Sequence, residues 1–225
     1  MGEPVAECNL KVTHLILVPS LITLGITILR LVGELQHWSK AWFNPEAGGP
    51  WSIVGITWLA PIFGIYFAIR LLGAGEGPAS SWRAIGVALL GWVVMFVSLV
   101  IGRKFIFPYG FKATLLFFWA GSALAALLQS AAWPSLFKVL LAYGFAARVP
   151  VVLVMFLAFR GHWGTHYDAL PPGWQSAGLW RAFVWLGFLP QLAFWVGFTI
   201  TARSLFGALG AVTARLFKRP LEASA

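Results

Sequence analysis

The stretch WRAIGVALLGWVVMFVSLVI, residues 82–101, contains a single charged residue, Arg83. An α-helix rises about 1.5 Å per residue, so about twenty apolar residues are needed to cross the hydrocarbon core of a bilayer. Five further stretches of the chain have a similar length and character. We therefore predict six membrane-spanning helices, over residues 14–35, 53–72, 82–101, 111–128, 136–159 and 179–201.

The composition of the whole chain agrees with this prediction. Of the 225 residues, 60% are hydrophobic and 10% are charged, whereas a soluble domain carries about a quarter charged residues. The net charge of +9 does not indicate nucleic-acid binding, because the Lys and Arg residues are scattered singly between apolar runs. The sequence predicts one all-α domain over residues 1–225, a polytopic membrane bundle whose main surroundings are lipids and not nucleic acid.

Two boundaries of this bundle have alternatives. The segment QSAAWPS (129–135) separates the fourth and fifth spans, and we expect Trp133-Pro134 to break the helix and to supply an interfacial aromatic. A merged or re-entrant segment is the alternative. After the sixth span, residues 204–219 have helical spacing of apolar side chains and predict a short amphipathic tail. That tail either extends the sixth helix or lies along an anionic leaflet.

The surface of the bundle carries three further signals. The chain has thirteen tryptophans, mostly near predicted span ends, which is typical of an aromatic belt. Small residues at spacing four allow helices to approach closely, within the chain or against a membrane-protein partner or a second copy; they include Ala60, Gly64 and Ala68. The basic residues of the C-terminal segment favour an orientation with both termini in the cytoplasm of a bacterial-type inner (plasma) membrane.

One charged side chain lies at the middle of a predicted span. Arg148 is about 16–18 Å from either end of the fifth span, too deep for its side chain to reach water easily. Gln191 lies at the matching depth of the sixth span, and Pro150 and Pro190 beside them free backbone carbonyls. We predict either a mid-membrane site for an anionic or carbonyl-bearing ligand, or a structural contact in which Arg148 caps those carbonyls. No carboxylate lies at this depth, which disfavours proton-coupled transport.

A second group of polar residues follows from the number of spans. With six spans, the first and fifth loops open on the same side of the membrane, which we call the odd side. Glu34 lies at the end of the first span and His37 directly after it, and the fifth loop, RGHWGTHYDALPPGW (160–174), contains His162, His166 and Asp168. Three histidines and two carboxylates are suitable ligands for zinc or non-haem iron, and they also suit an acid–base pair.

The spacing of His162 and His166 is a weak indication of a metal site. Ligands four residues apart share a face only on a helix, and the glycines and prolines of residues 160–174 favour a loop. An interfacial turn capped by Asp168 is the alternative interpretation. The single cysteine, Cys8, excludes multi-cysteine metal motifs, and no sequence feature identifies a cofactor.

Three classes of function are compatible with these features. The sequence favours the first, a non-catalytic membrane module that serves as an accessory subunit or as a scaffold that binds lipids or a partner, and the other two are alternatives. The second is a transporter or channel for a small anionic or neutral solute, with Arg148 and Gln191 as the binding residues. The third is a membrane enzyme that uses the odd-side histidines and carboxylates, although the signatures HExxH, GxSxG and DxxxD are absent.

Overall fold

The computed structural model describes residues 11–47 and 52–222, with side chains as far as residue 217. Within these residues the secondary structure is helical and no strand occurs. Six helices are long and apolar enough to cross a membrane: Val12–Leu35, Ile56–Gly73, Ser81–Tyr109, Phe111–Ala132, Pro134–Gly161 and Leu179–Phe217. The predicted all-α bundle with six spans is confirmed, and it fits a multi-pass membrane protein.

We number the α-helices in chain order. They are α1 (Val12–Leu35), α2 (Leu59–Gly73), α3 (Ser81–Ile101), α4 (Phe111–Ala132), α5 (Pro134–Gly161), α6 (Leu179–Ala182) and α7 (Val196–Glu222). Between α6 and α7 the chain forms two π-helical segments, Phe183–Phe188 and Pro190–Trp195. The sixth span is therefore a continuous helical rod whose middle is wound more widely than an α-helix.

Local sequence explains where the helices begin. The side chain of Ser80 caps α3 by accepting a hydrogen bond from the amide of Arg83 at 3.3 Å. Pro134 is the first residue of α5, a position where its missing N–H group breaks no helical hydrogen bond. Only Trp133 separates α4 from α5, so the predicted break in QSAAWPS is confirmed.

The role that we predicted for Trp133 as an interfacial aromatic is wrong. Its side chain is buried, and Nε1 donates a hydrogen bond to the carbonyl oxygen of Glu76 at 2.7 Å. This hydrogen bond joins the junction of α4 and α5 to the loop between α2 and α3. Other tryptophans are exposed near span ends, as an aromatic belt requires, among them Trp38, Trp42, Trp82 and Trp180. Trp51 lies outside the described residues.

The structure decides between the two alternatives for residues 204–219. They extend the sixth helix, because α7 continues through them without a break. Ser204, Ala208 and Ala211 are buried in the bundle, whereas Leu209 and Leu216 of the predicted amphipathic face are exposed. The first part of this segment therefore belongs to the packed bundle.

The central helix of the bundle is α7, which packs against α2, α3, α4 and α5. Small residues permit the closest of these contacts. A Cβ atom added to Gly64 of α2 would lie 2.7 Å from the carbonyl oxygen of Arg203 and 3.0 Å from Cβ of Phe206. The small residues of α2 thus serve a helix contact inside the chain. By contrast, α1 lies at the edge of the bundle, mainly against α5.

Candidate functional site

The inward face of α1 carries a row of polar residues. Thr23, Thr27, Arg30 and Glu34 follow one another at spacings of three and four, so they lie along one side of the helix. The two threonines are buried and donate to carbonyl oxygens one turn earlier, Thr23 to Pro19 at 2.8 Å and Thr27 to Thr23 at 2.9 Å. This row leads from the bundle interior to the odd side.

Glu34 is the anchor at the odd-side end of the row. Its carboxylate is fully buried, and it accepts three hydrogen bonds from two segments of the chain. Nε of Arg30 donates to Oε1 at 2.9 Å, and the backbone amide of His166 donates to Oε2 at 2.8 Å. Nδ1 of His166 lies 2.6 Å from Oε1. The first span and the fifth loop are thus joined through one carboxylate.

Asp168 folds the turn that presents His166. Its carboxylate accepts hydrogen bonds from the amides of Gly164 at 2.9 Å and Thr165 at 2.8 Å, and from the Thr165 hydroxyl at 2.7 Å. Gly164 has a φ of +68°, a conformation that a residue without a Cβ atom adopts readily. Asp168 therefore acts as the predicted turn cap, and its donors come from its own loop.

His166 and Tyr167 occupy the space between this turn and α5. Their rings are in contact, with centroids 3.9 Å apart. The hydroxyl of Tyr167 donates to the carbonyl oxygen of Thr27 at 3.3 Å, and its ring belongs to the same buried cluster as Val151 and Met155 of α5. Tyr167 thus extends the odd-side turn into the bundle, a role that its sequence position does not reveal.

The environment shifts the pKa of both groups. Burial of the ring lowers the pKa of His166 below its usual value, and the charge of Arg30 lowers it further, although Glu34 acts in the opposite direction. Burial raises the pKa of Tyr167 well above its usual value. At neutral pH both side chains are therefore uncharged. A neutral His166 that donates from Nδ1 to Glu34 leaves Nε2 as a proton acceptor.

The structure does not assemble all of the odd-side candidates. His37 and His162 are exposed residues just beyond the ends of α1 and α5, both with left-handed backbone conformations (φ 52° and 50°). Of the five candidates, Glu34 and His166 are in contact. Residues 11–47 and 52–222 contain no group of three or more His, Cys, Asp or Glu side chains arranged to hold a metal ion.

Arg148 lies in the bundle interior, and the residue as a whole is 6% exposed. Its Nη1 donates to Oε1 of Gln191 at 3.2 Å, so the two residues predicted to lie at matched depth do meet. The guanidinium also lies 4.8 Å from the ring centroid of Trp195, and Nε2 of Gln191 is 3.5 Å from Sδ of Met155. Nε of Arg148 is buried and has no hydrogen-bond partner among the described residues.

A second interior cation, Arg203, was missed by the sequence analysis. It is 3% exposed, its Nη2 donates to the hydroxyl of Tyr143 at 3.3 Å, and its guanidinium lies 4.8 Å from the Tyr143 ring centroid. The same hydroxyl is 2.6 Å from Oγ1 of Thr23 on α1. As with Arg148, the buried Nε has no partner in the described part of the chain.

A sequence signal for Arg203 did exist. The sixth span was predicted to end at residue 201, which placed Arg203 among the flanking charges. Yet residues 182–202 and 204–214 contain no charged side chain, so Arg203 also lies inside an apolar run. Only the packing of α7 against α2 and α5 shows that this second run is part of the bundle.

The two interior arginines, with Tyr143, Gln191 and Trp195, form what we call the interior arginine site. The charge of Arg203 acts on Arg148, so the two guanidinium groups repel each other. Neither forms an ion pair with a carboxylate within the described ranges. A neutral amide, a phenol and two aromatic rings solvate these charges without neutralising them.

Comparison with known proteins does not add to this description. No protein-family model, no curated protein and no solved structure matches the chain.

Proposed function

We propose that this multi-pass membrane protein binds a small anionic solute at the interior arginine site and carries it across the membrane. The observation that carries the proposal is the burial of two guanidinium groups, Arg148 and Arg203, without a carboxylate partner in the described residues. An anion at this position supplies the negative charge that the described residues do not.

Electrostatics favour an anion as the occupant. A buried unpaired charge is strongly unfavourable, and two that repel each other are more so. Arginine is always charged and offers five N–H donors in a planar fork, which suits oxyanions and halides. The buried Nε atoms of Arg148 and Arg203 lack acceptors among the described residues, so each guanidinium retains capacity for charge-assisted hydrogen bonds with a ligand.

The helix beside the site supports movement of the solute. Gln191 and Trp195 both lie in the π-helical segment Pro190–Trp195. Single π-helical turns occur often at functional sites, and interrupted helices line the binding sites of many transporters. Pro150 lies within α5 two residues after Arg148. Two of the three elements that form the site thus contain a residue that weakens helical hydrogen bonding.

The other two classes of function receive less support from the geometry. A purely structural Arg148 was expected to cap freed carbonyl oxygens, but its acceptor in the described residues is the Gln191 side chain. The metal-enzyme interpretation needed at least three of the odd-side candidates together, whereas the contact between Glu34 and His166 suits the acid–base alternative alone. The membrane in which the protein resides and the side of its termini stay predictions.

The proposal is tested with the full chain reconstituted in proteoliposomes. Uptake of chloride, nitrate, sulfate and formate is measured for the wild type and for Arg148→Gln, Arg148→Lys and Arg203→Gln. Lys138→Gln is the matched control, because it removes an exposed cation from the same helix, α5. We expect wild-type uptake of at least one anion, retained in Lys138→Gln and reduced at least about tenfold in the Gln variants, which is about 1.4 kcal/mol.

Arg148→Lys keeps the charge but loses the planar fork, so partial uptake is expected. Size-exclusion profiles and unfolding temperatures establish that each variant is assembled. A folded Arg148→Gln protein that transports as fast as the wild type contradicts the proposal, and so does a wild type that neither binds nor transports any of these anions.

A further inference from the structure

The interior arginine site is connected to the odd side through a continuous series of contacts. Arg148 binds Gln191, and Gln191 contacts Met155. Met155 belongs to the same buried cluster as Tyr167, whose ring lies against that of His166. The charge of Arg148 also acts on Tyr167. The ring that contacts His166 is thus within electrostatic range of Arg148.

His166 is built to accept a proton. The backbone amide and Nδ1 both contact the carboxylate of Glu34, which orients the ring and leaves Nε2 without a hydrogen-bond partner in the described part of the chain. The side chain is 15% exposed, so water reaches it. A histidine held by a carboxylate through one nitrogen presents the other as a base.

Charged groups act on His166 from α1 and from its own turn. Glu34 and Arg30 face it from α1, and Asp168 faces it from its own turn. Towards α5, the uncharged Tyr167 contacts the His166 ring and is itself affected by the charge of Arg148. Arg30 opposes a further positive charge on His166, whereas Glu34 and Asp168 favour it. An anion bound at Arg148 brings a negative charge to the group that acts on Tyr167, whose ring contacts His166. A negative charge in a buried environment favours the protonated form of a nearby histidine.

We propose that His166 takes up one proton when an anion binds at the interior arginine site, so that the protein binds and transports the anion together with a proton. This inference rests on the proposed function and specifies its second substrate. The sequence argued against proton coupling because no carboxylate lies at the depth of Arg148. The structure instead places a Glu34–His166 pair on the odd side of that arginine. The two residues are 132 positions apart in the chain, so no local sequence pattern reveals the pair.

Linkage makes the coupling reciprocal. If the anion promotes protonation, protonation must raise the affinity for the anion by the same factor. For one proton, the affinity rises by at most about tenfold per pH unit. The rise is expected as the pH falls through the lowered pKa of His166, that is, at pH values below about 6.5.

The test measures anion binding and proton uptake with the purified full chain. Chloride, nitrate, sulfate and formate are suitable probes because their charge does not change between about pH 5.5 and 8. Binding constants are determined across this range, and proton uptake on anion addition is followed with a pH dye in weak buffer. In proteoliposomes, an inward anion gradient should acidify the lumen. These wild-type measurements require no variant.

His166→Asn keeps an amide that can donate to Glu34 but cannot be protonated. We expect this variant to bind the anion with an affinity that no longer depends on pH and to take up no proton. His162→Asn is the matched control on the same loop, exposed and outside these contacts, and it should behave as the wild type.

The outcomes separate this inference from the proposed function. Anion binding with a flat pH profile in the wild type leaves the proposed function intact and overturns the inference. A pH dependence that persists in folded His166→Asn overturns it as well. Absence of anion binding at every pH refutes the proposed function, and the inference falls with it.

Discussion

Replacing Glu34 by Gln should release the fifth loop from α1 with almost no change in side-chain volume. Glu34 uses both carboxylate oxygens: Oε1 contacts Arg30 and His166, and Oε2 accepts from the His166 amide. Gln has one carbonyl oxygen, so an NH₂ group must face one of these donors. An unsatisfied buried donor costs about 1–3 kcal/mol, and the lost charge weakens the remaining contacts, which gives a total of about 2–4 kcal/mol.

The predicted loss is best measured by hydrogen exchange in the loop. The His166 amide donates directly to Glu34, so its exchange reports the opening of this contact. A loss of about 2 kcal/mol accelerates exchange about thirtyfold if the loop opens locally. Glu46→Gln, an exposed substitution in the first loop, should leave the exchange unchanged. If Glu34→Gln exchanges within about threefold of the wild type over 162–170, Glu34 does not hold the loop.

Three further predictions concern stability. Because burial lowers the pKa of His166 from its usual 6.5, the unfolded chain binds the proton more readily than the folded protein. The free energy of unfolding should therefore be greatest above about pH 6.5 and decrease as the pH falls towards the lowered pKa. Thermal unfolding at several pH values should show that this decrease disappears in His166→Asn and persists in His162→Asn. Gly64→Ala places a Cβ atom 2.7 Å from a backbone oxygen of α7 and should destabilise the bundle by about 1–3 kcal/mol. The control Gly86→Ala on α3, where the added Cβ atom meets open space, should not destabilise it. Equal unfolding temperatures of the two variants would show that the helices separate easily. Asp168→Ala removes the acceptor of three hydrogen bonds and should make residues 160–174 more susceptible to limited proteolysis. An unchanged cleavage rate would mean that other contacts hold the turn.

The interior of the bundle was partly predictable. Arg148 stands out because a charge in the middle of an apolar run is costly, and its match in depth with Gln191 follows from counting residues along two helices. Arg203 was overlooked because hydropathy locates a span only by the length of its apolar run. It does not show whether the helical turns that follow the predicted span are buried in the bundle. The depth of Arg203 depends on how α7 packs against its neighbours.

The odd-side cluster shows a different limit. The parity of six spans correctly brings the first and fifth loops together, but sequence spacing gave equal weight to His37, His162 and His166. The ring of each histidine takes its direction from backbone angles and turn hydrogen bonds. The left-handed residues at 37 and 162 and the Asp168 cap leave only His166 against Glu34.

The sequence by itself determined the all-α class, the number of helices long and apolar enough to span a membrane, and the presence of a costly cation in the middle of one of them. These properties follow from composition and length, because the bilayer imposes one dimension on every spanning helix. Only the tertiary structure decided that Arg203 joins Arg148, that Tyr143 and Thr23 bind it to α1, and that Glu34 selects His166. Such pairings unite residues far apart in the chain. They depend on the rotation and relative position of packed helices, which side-chain packing sets and hydropathy does not record.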